Sequence, residues 1–405
     1  MLDIWPELPI YLHNFDCQTE EGREDVAAAL RLNHRVFGVR LDRASDASDA
    51  AWKSFLSLMQ QPFPALTHLW VHPSMSIKNA IPHSFLRGSA PVLRDLVLTG
   101  VPFPALPELL LSATNIVCLL YDNIPLSGYI SPPAMVTGLS ALTRLESLSL
   151  TFRSPQDLPD REIRIPPPHT RTLLPALASF HFQGAPEYVD DLVAHLDTPL
   201  LESIMLSLFC RHREVLEISE LAKFVRRADK LSLVDQASVT FTNALISVQL
   251  SKESLVGVDP KTLILNPKCS HRNARLSYLA QFCKSCLPTL TPFECLHIRD
   301  RPQFTWQDVM GDPDPQWLEL LRVFNTVKHL RLSKPIALRV ARALRGLPVE
   351  QVTEILPALE NVFIPGLESF GSVKEAIFEF ADARRVAGHP VSICDWEGGV
   401  HSVGE

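Results

Sequence analysis

The chain has 405 residues, of which 46% are hydrophobic and 20% charged. This composition is typical of a folded protein and excludes a wholly disordered chain. The net charge is −7 and the pI is about 6.1. Because there is no strongly basic domain, we expect no nucleic-acid partner. The eight cysteines are scattered along the chain, a pattern that indicates free thiols in a reducing compartment.

The first residues carry no targeting signal. Asp3 and Glu7 are acidic, and no basic residue precedes Arg23, so the start lacks the basic and apolar regions of a signal peptide. No uninterrupted apolar run reaches about 18 residues, the length needed to span a membrane. The sequence therefore predicts a cytoplasmic and/or nuclear protein without a membrane partner.

One short pattern, apolar-x-x-apolar-x-apolar, recurs along the chain. Val36-x-x-Val39-x-Leu41 is the first example and Leu66-x-x-Leu69-x-Val71 the second. Its starts lie at positions 36, 66, 93, 116, 145, 177, 201, 228, 293, 327 and 359. Most spacings are 23 to 34 residues, and the single gap of 65 would hold two units. This pattern is the signature of leucine-rich repeats, here in an irregular form.

The last two apolar positions of each unit lie two residues apart, so they point to the same face of a strand. No unit can bury that face alone, and successive units must stack. We therefore predict an α/β protein: an irregular leucine-rich-repeat-like solenoid, or horseshoe. A parallel sheet would line its concave side, with helices or extended arms on the convex side. Its parts would be an N-terminal cap (1–35), the solenoid (36–365) and a C-terminal helix and cap (366–405).

The segments between the predicted strands differ in character. Apolar spacing predicts amphipathic helices at 46–61, 214–227, 275–286 and 373–386. Residues 102–107 contain too many prolines for a helix and predict an extended or one-turn arm. Residues 154–172 are proline-rich and charged, and predict an exposed loop. Residues 234–267 resemble a β-hairpin, with a further strand at Thr262–Leu265.

The residue between the two inward positions of each strand should face outward, onto the concave side. Residues two positions further along a strand lie on the same face, and two of these, His72 and Arg299, are included. The predicted binding surface is Trp70, His72, Val97, Leu120, Ser149, His181, Met205, Ser232, His297, Arg299, Arg331 and Phe363. Exposed Trp, Leu, Met and Phe side chains on such a face are candidate anchors for a protein partner. The alternative is that arms or the proline-rich loop cover them.

Catalytic signatures are absent from the sequence. It contains no G-x-S-x-G, H-E-x-x-H, G-x-x-x-x-G-K or G-x-G-x-x-G, so we predict neither enzymatic activity nor a cofactor. One set of residues has the right chemistry for zinc: Cys269, His271, Cys283 and Cys286. Since Cys283 and Cys286 fall in a helical pattern, we interpret them as core residues and predict no metal.

Several short segments resemble the fungal F-box proteins with leucine-rich repeats, above all those of basidiomycetes. They are Ile81-Pro-His-Ser-Phe-Leu-Arg-Gly-Ser-Ala-Pro, Leu93-Arg-Asp-Leu-Val-Leu-Thr-Gly-Val-Pro, Ser127-Gly-Tyr-Ile-Ser-Pro, Pro166-Pro-Pro-His-Thr-Arg and Glu187-Tyr-Val-Asp-Asp-Leu-Val. The resemblance covers about residues 5–396. It implies a substrate-recognition solenoid, which in complete members follows an F-box that grips the Skp1 adaptor of a cullin–RING ubiquitin ligase.

The chain departs from that family at its start. Trp5-Pro-Glu-Leu-Pro-Ile echoes the opening of an F-box, but only about thirty residues precede the first repeat strand, and we expect no helices there. The F-box is missing or truncated, so Skp1 and cullin are expected partners only if an F-box lies upstream. The leading hypothesis is a non-catalytic protein-recognition module related to ligase substrate receptors. The alternatives are a free-standing scaffold and a hydrolase or metal enzyme of unrecognised fold.

Overall fold

The computed structural model describes most of the chain. The described residues are 8–13, 20–42, 49–72, 79–154, 170–209, 217–228, 236–242, 246–251, 262–268, 272–286, 293–301, 315–366 and 371–395. The protein is α/β, with a fifteen-stranded, mostly parallel sheet and helices, which confirms the predicted class. The chain divides into two compact units, residues 1–204 and 205–405.

The first unit contains seven consecutive strands of the main sheet, and each pairs with its neighbour in parallel. They are β1 (Ile10–His13), β2 (Val36–Asp42), β3 (His68–His72), β4 (Asp95–Thr99), β5 (Cys118–Ile124), β6 (Ser147–Phe152) and β8 (Ser179–Gly184). Two short strands, β7 (Thr172–Leu173) and β9 (Leu196–Asp197), form a separate parallel pair. Neighbouring strands come from successive repeats, as the pattern predicts.

The alternation of side chains explains why these segments are strands. In β3, Leu69 and Val71 are completely buried, whereas Trp70 between them is partly exposed. In β4, Leu96 and Leu98 are buried in the same way, and Val97 is partly exposed. The inward positions of the repeat therefore make the core, and the positions between them face away from it.

Helices of the first unit pack against one another in chain order, α1 on α2, α3 on α4 and α4 on α5. They are α1 (Glu20–Arg31), α2 (Asp49–Leu58), α3 (Leu106–Ser112), α4 (Pro132–Leu139) and α5 (Pro186–Ala194). Residues 102–105 of the proline-rich segment precede α3, and Leu106 and Pro107 form its first turn. The Phe103 N–H donates to the Tyr121 hydroxyl at 3.0 Å. Proline at the start of α4 and α5 costs no hydrogen bond, because the first N–H groups of a helix have no partner within it.

The expectation of no helices before the first repeat strand is wrong, and a strand that was not predicted is also present there. Helix α1 occupies Glu20–Arg31, and strand β1 pairs with β2 at the edge of the sheet. The helix buries Val26, Ala29 and Leu30, spaced three and four residues apart on one helix face. Three apolar side chains in a segment rich in charge make a weak signal, which is why the sequence did not reveal this helix.

The second unit contains eight further strands of the main sheet. They are β10 (Ser203–Phe209), which begins at the boundary, β11 (Gln236–Phe241), β12 (Ile246–Ser251), β13 (Thr262–Lys268), β14 (Cys295–Asp300), β15 (His329–Leu332), β16 (Asn361–Ile364) and β17 (Ser392–Asp395). Strands β14 to β17 follow one another in parallel. They repeat the arrangement of the first unit.

The parallel stack is interrupted at β11 to β13, where the sequence predicts a hairpin and a further strand. The spatial order there is β10, β13, β12, β11, β14, so three strands run against the chain order. Strand β12 is antiparallel to both of its neighbours. Only residues 242–245 join β11 to β12, and so short a connection can join only antiparallel neighbours.

Helices of the second unit also pack in succession, α6 on α7, α7 on α8, α8 on α9 and α9 on α11. They are α6 (Ser219–Arg227), α7 (Arg272–Cys286), α8 (Pro315–Val323), α9 (Lys334–Leu344), α10 (Val349–Val352) and α11 (Gly371–Val386). Within the described parts of the chain, no helix is both long and apolar enough to cross a membrane. Most of the predicted loop at 154–172 lies outside the described residues.

A buried arginine ties the last helix to the turn that follows α10. Arg384 is 1% exposed. Its guanidinium donates to the carbonyl oxygens of Val352, Ile355 and Leu356 at 3.1 to 3.2 Å. Leu356 has a positive φ of 49°, a strained conformation for a branched side chain. The arginine satisfies carbonyl groups that this irregular turn would leave without a partner.

Candidate binding surfaces

Parallel register places one outward residue from each strand of the first unit in a single row. The row starts at His13, which pairs directly with Arg40, and continues through Trp70, Val97, Leu120 and Ser149, each paired with the residue before it. His181 completes the row opposite Ser149. We call these seven residues the outward row. Adjacent strands lie about 4.8 Å apart, so residues far apart in sequence become direct neighbours.

The middle of the outward row opens into a groove of about 650 Å³. Its walls are formed by Arg40, Trp70, His72, Asp95, Val97, Cys118 and Leu120. Trp70, Val97 and Leu120 are each partly exposed and give the groove an apolar centre. The volume lies in the range typical of ligand sites, and the groove is open to solvent.

Polar groups flank this apolar centre. The guanidinium carbon of Arg40 lies 4.5 Å from the centre of the Trp70 ring, a cation–π contact that orients both side chains. His68 Nε2 lies 3.0 Å from Asp95 Oδ2 on the next strand. The groove therefore offers a cation at one end and a histidine–carboxylate pair beside its floor.

Cys118 lies in the groove, but its thiol is not activated. Burial, together with the negative charges of Asp95 and Asp122, raises the pKa of Cys118 to about 11. A reactive cysteine needs a lowered pKa, because the thiolate is the nucleophile. Cys118 therefore contributes contact surface and no covalent chemistry.

Beyond the groove, Asp122, Ser149 and His181 form a hydrogen-bonded trio. Ser149 Oγ donates to Asp122 Oδ1 at 2.7 Å, and His181 Nδ1 lies 3.1 Å from Ser149 Oγ. Thr151 Oγ1 also donates to Asp122 Oδ1, at 3.3 Å. Ser149 is only 5% exposed. This member of the predicted surface is therefore buried beneath its neighbours.

The order of the trio differs from that of a hydrolase triad. In a triad the histidine stands between the carboxylate and the serine and takes the proton of the hydroxyl. Here the serine stands between the other two groups. Since an ionised carboxylate only accepts hydrogen bonds, the single proton of Ser149 goes to Asp122, and His181 donates to Ser149. The trio therefore holds the outward row together and does not activate a nucleophile.

The second unit has its own outward positions on β14 to β16. Register aligns Ser238, His297, Arg331 and Phe363 in a row, and Arg299 lies two residues beyond His297 on β14. His297, Arg331 and Phe363 are partly exposed, and Arg299 is exposed. The register therefore brings together four members of the predicted surface. Met205 lies elsewhere in this unit, exposed on β10, and Ser232 lies outside the described residues.

Positive charge dominates this second row. Burial, together with the nearby charges of Arg299 and Arg331, lowers the pKa of His297 to about 4. The guanidinium of Arg331 lies 5.8 Å from the centre of the Phe363 ring. Arg299 Nε donates to Thr240 Oγ1 at 3.2 Å. At neutral pH, His297 is therefore uncharged.

The alternative zinc site is only half described. Cys283 and Cys286 lie on α7, and both are completely buried. Burial strongly raises the pKa of Cys283, which opposes the thiolate form that zinc requires. Cys269 and His271 lie outside the described residues. Among the residues that are described, no group of three or more His, Cys, Asp or Glu side chains could hold a metal ion.

Sequence reasoning missed three residues of these surfaces. Arg40 stands between the inward residues Val39 and Leu41, so the repeat itself places it on the outward row. Tyr11 and His13 belong to β1, which carries too short an apolar pattern to be recognised. Tyr11 is 45% exposed and lies over Gly38, where a Cβ atom would collide with its ring.

Comparison with known proteins adds no family assignment. The chain matches no protein-family model, and no curated protein is significantly similar to it.

Proposed function

We propose that this protein is a non-catalytic recognition module that binds a protein partner on the outward side of its sheet. The observation that carries the proposal is the outward row of the first unit. Folding requires only the inward residues of each strand to be apolar, yet Trp70, Val97 and Leu120 place apolar surface on the opposite side. Such a patch, rimmed by polar groups, is typical of a protein-binding surface.

The shape of the groove supports a protein rather than a small molecule. It is open to solvent, and Arg40 and the His68–Asp95 pair flank its apolar centre. A protein segment lying across the strands would bury an apolar side chain on Trp70 and Val97. Its polar groups would meet the flanking residues, in the usual arrangement of an apolar core and a polar rim.

We also propose that the repeats build an irregular leucine-rich-repeat-like solenoid, or horseshoe. Two features support this. Strands from successive repeats pair in parallel and in register, and the helices between them pack in chain order. In such architectures each repeat buries its apolar face only against its neighbours, and the strand side supplies an extended binding surface.

A relation to the substrate receptors of Skp1–cullin ubiquitin ligases is part of the proposal. Its support is the resemblance of the repeat segments to fungal F-box proteins with leucine-rich repeats. Mapping the transcript upstream of Met1 tests it. An in-frame F-box there, with Skp1 bound by the longer protein, would support the receptor role, whereas no F-box, with the protein partner still captured, would favour a free-standing scaffold.

The recognition proposal is tested with the paired variants Leu120→Arg and Leu111→Arg. Leu120 lies in the groove, while Leu111 is 49% exposed on helix α3. Proteins captured from the source cells by the wild-type chain are identified and purified, and their affinities for each variant are measured. We expect Leu120→Arg to weaken binding at least about tenfold, roughly 1.4 kcal/mol or more. Equal affinities for the two variants would contradict the proposal.

A further inference from the structure

The outward face of the second unit differs in charge from the rest of the chain. Its described strand positions include Lys268, Arg299 and Arg331 and contain no aspartate or glutamate. The whole chain carries a net charge of −7. A positive face on an acidic protein marks a place where a negatively charged partner is favoured locally.

We propose that the outward face of β14, β15 and β16 binds an acidic, extended peptide segment of a protein partner, whose carboxylates pair with Arg299 and Arg331. The proposal rests on the proposed function in one respect, namely that proteins dock on outward sheet positions. It concerns a separate set of residues in the second unit and adds the chemistry of the partner.

The spacing of the two arginines fits alternate residues of an extended chain. Arg331 pairs in register with His297, and Arg299 lies two residues further along β14. Neighbouring strands are about 4.8 Å apart and each residue advances about 3.3 Å, so the two backbone positions are about 8 Å apart. Alternate side chains of an extended peptide are separated by about 6.6 Å. Two carboxylates at positions i and i+2 therefore reach both guanidinium groups.

Neighbouring side chains contact Arg299 and Arg331 and orient them. The guanidinium carbon of Arg331 lies 5.8 Å from the centre of the Phe363 ring. The centre of the His329 ring lies 6.2 Å from the centre of the same phenylalanine ring. Thr240 holds Arg299. Burial is the main cause of the lowered pKa of His297, and the charges of Arg299 and Arg331 contribute to it.

Acidic groups at the edge of this face have partners of their own. Glu294 pairs with Lys328 at 2.9 Å, and Asp300 accepts a hydrogen bond from Ser333 Oγ. Asp395 accepts the Gly366 N–H at 2.8 Å. These three carboxylates therefore interact with groups at the edge of the face, and the charged side chains at its centre are the two arginines.

An acidic peptide fits better than a nucleic acid. Nucleic-acid binding relies on many basic side chains that follow a phosphate backbone, and stacking needs several aromatic groups. This row offers two arginines and one phenylalanine, and the chain as a whole is acidic. Bidentate pairing of arginine with carboxylate suits a short acidic motif, and Phe363 offers an apolar contact beside it.

The test measures binding of fluorescent twelve-residue peptides to the full chain by anisotropy. One peptide alternates glutamate with apolar residues, a second has glutamine in place of each glutamate, and a single-stranded oligonucleotide of similar charge is a third probe. Protein variants are Arg299→Gln, Arg299→Gln with Arg331→Gln, and the matched control Lys284→Gln with Arg342→Gln. Lys284 and Arg342 are exposed on helices of the same unit.

We expect the acidic peptide to bind at least about tenfold more tightly than the glutamine peptide. Arg299→Gln, at an exposed position, should weaken binding several-fold, and the double variant should remove the preference. The control should retain it. Equal binding of both peptides, equal loss in the control, or tighter binding of the oligonucleotide would overturn the proposal. Partner binding that still depends on Leu120 would then leave the proposed function intact.

Discussion

Ser149 Oγ donates its proton to Asp122 Oδ1 across strands β5 and β6, at a distance of 2.7 Å. This one bond fixes the chemistry of the trio, because the hydroxyl has no second proton to give to His181. The serine is held as a structural link between neighbouring strands. Its environment is the reverse of the one that activates a catalytic serine.

Replacing Ser149 by alanine should therefore affect stability and leave hydrolysis unchanged. The variant leaves Asp122 with Thr151 as its remaining side-chain donor, and we expect a loss of about 1–2 kcal/mol in the free energy of unfolding. Hydrolysis of p-nitrophenyl acetate should stay at the background rate in both proteins. A specific rate that Ser149→Ala abolishes would refute this assignment and favour a hydrolase.

Adjacent leucines on β5 offer a direct test of the inward and outward alternation. Leu119 is completely buried, whereas Leu120 is partly exposed in the groove. Urea unfolding should show a loss of about 3 kcal/mol for Leu119→Ala, since it leaves a cavity. Leu120→Ala should cost less than about 1 kcal/mol. Similar losses for both would mean that the two faces of the strand are equally buried.

Arg384 should contribute far more to stability than its neighbour Arg385. Arg384→Met removes the donors to three buried carbonyl groups, and we expect a loss of about 3 kcal/mol. Arg385 is exposed and pairs with Asp382 at 2.8 Å. Arg385→Met should therefore change stability by less than about 0.5 kcal/mol in the same unfolding experiment. An equal effect of the two substitutions would rule out this role for Arg384.

His297 should titrate far below the usual range of histidine. Its pKa in the folded protein is about 4, against an ordinary value of 6.5. Between these values the unfolded chain binds more protons, so stability is lost as the pH falls from about 6.5 towards 4. NMR titration of the imidazole measures the pKa directly.

The causes of this shift are separable. Arg331→Gln removes a positive charge and should move the pKa of His297 upward, whereas Arg342→Gln on helix α9 should leave it where it is. A wild-type pKa near 6.5, or the same value in both variants, would show that the guanidinium groups do not act on His297.

Local periodicity predicted the parts of the fold that depend on neighbouring residues in sequence. Leu69 with Val71, and Leu96 with Leu98, identified the inward positions, and the residues between them became the outward row. The reversed order of β11, β12 and β13 depends on which strands meet in space, and no local pattern encodes that choice. Helix α1 was missed because few of its side chains are apolar.

The sequence predicted which residues lie on the candidate surfaces better than it predicted how those residues interact. Trp70, Val97 and Leu120 were placed by the repeat alone, and Arg40 follows from the same rule. The sequence did not indicate that Ser149 is buried under a hydrogen bond to Asp122, or that Arg299 and Arg331 act together on His297. Those relations arise from strand register, which joins residues roughly thirty positions apart.

Site-specific photo-crosslinking tests the central claim most directly. A benzophenone amino acid is placed at Val97 on the outward row or, as a control, at Thr137, which is exposed on helix α4 of the same unit. The account predicts that a discrete protein partner crosslinks from position 97 and not from position 137. Crosslinking of the same partner only from position 137, or none from position 97 while the complex is intact, would contradict it.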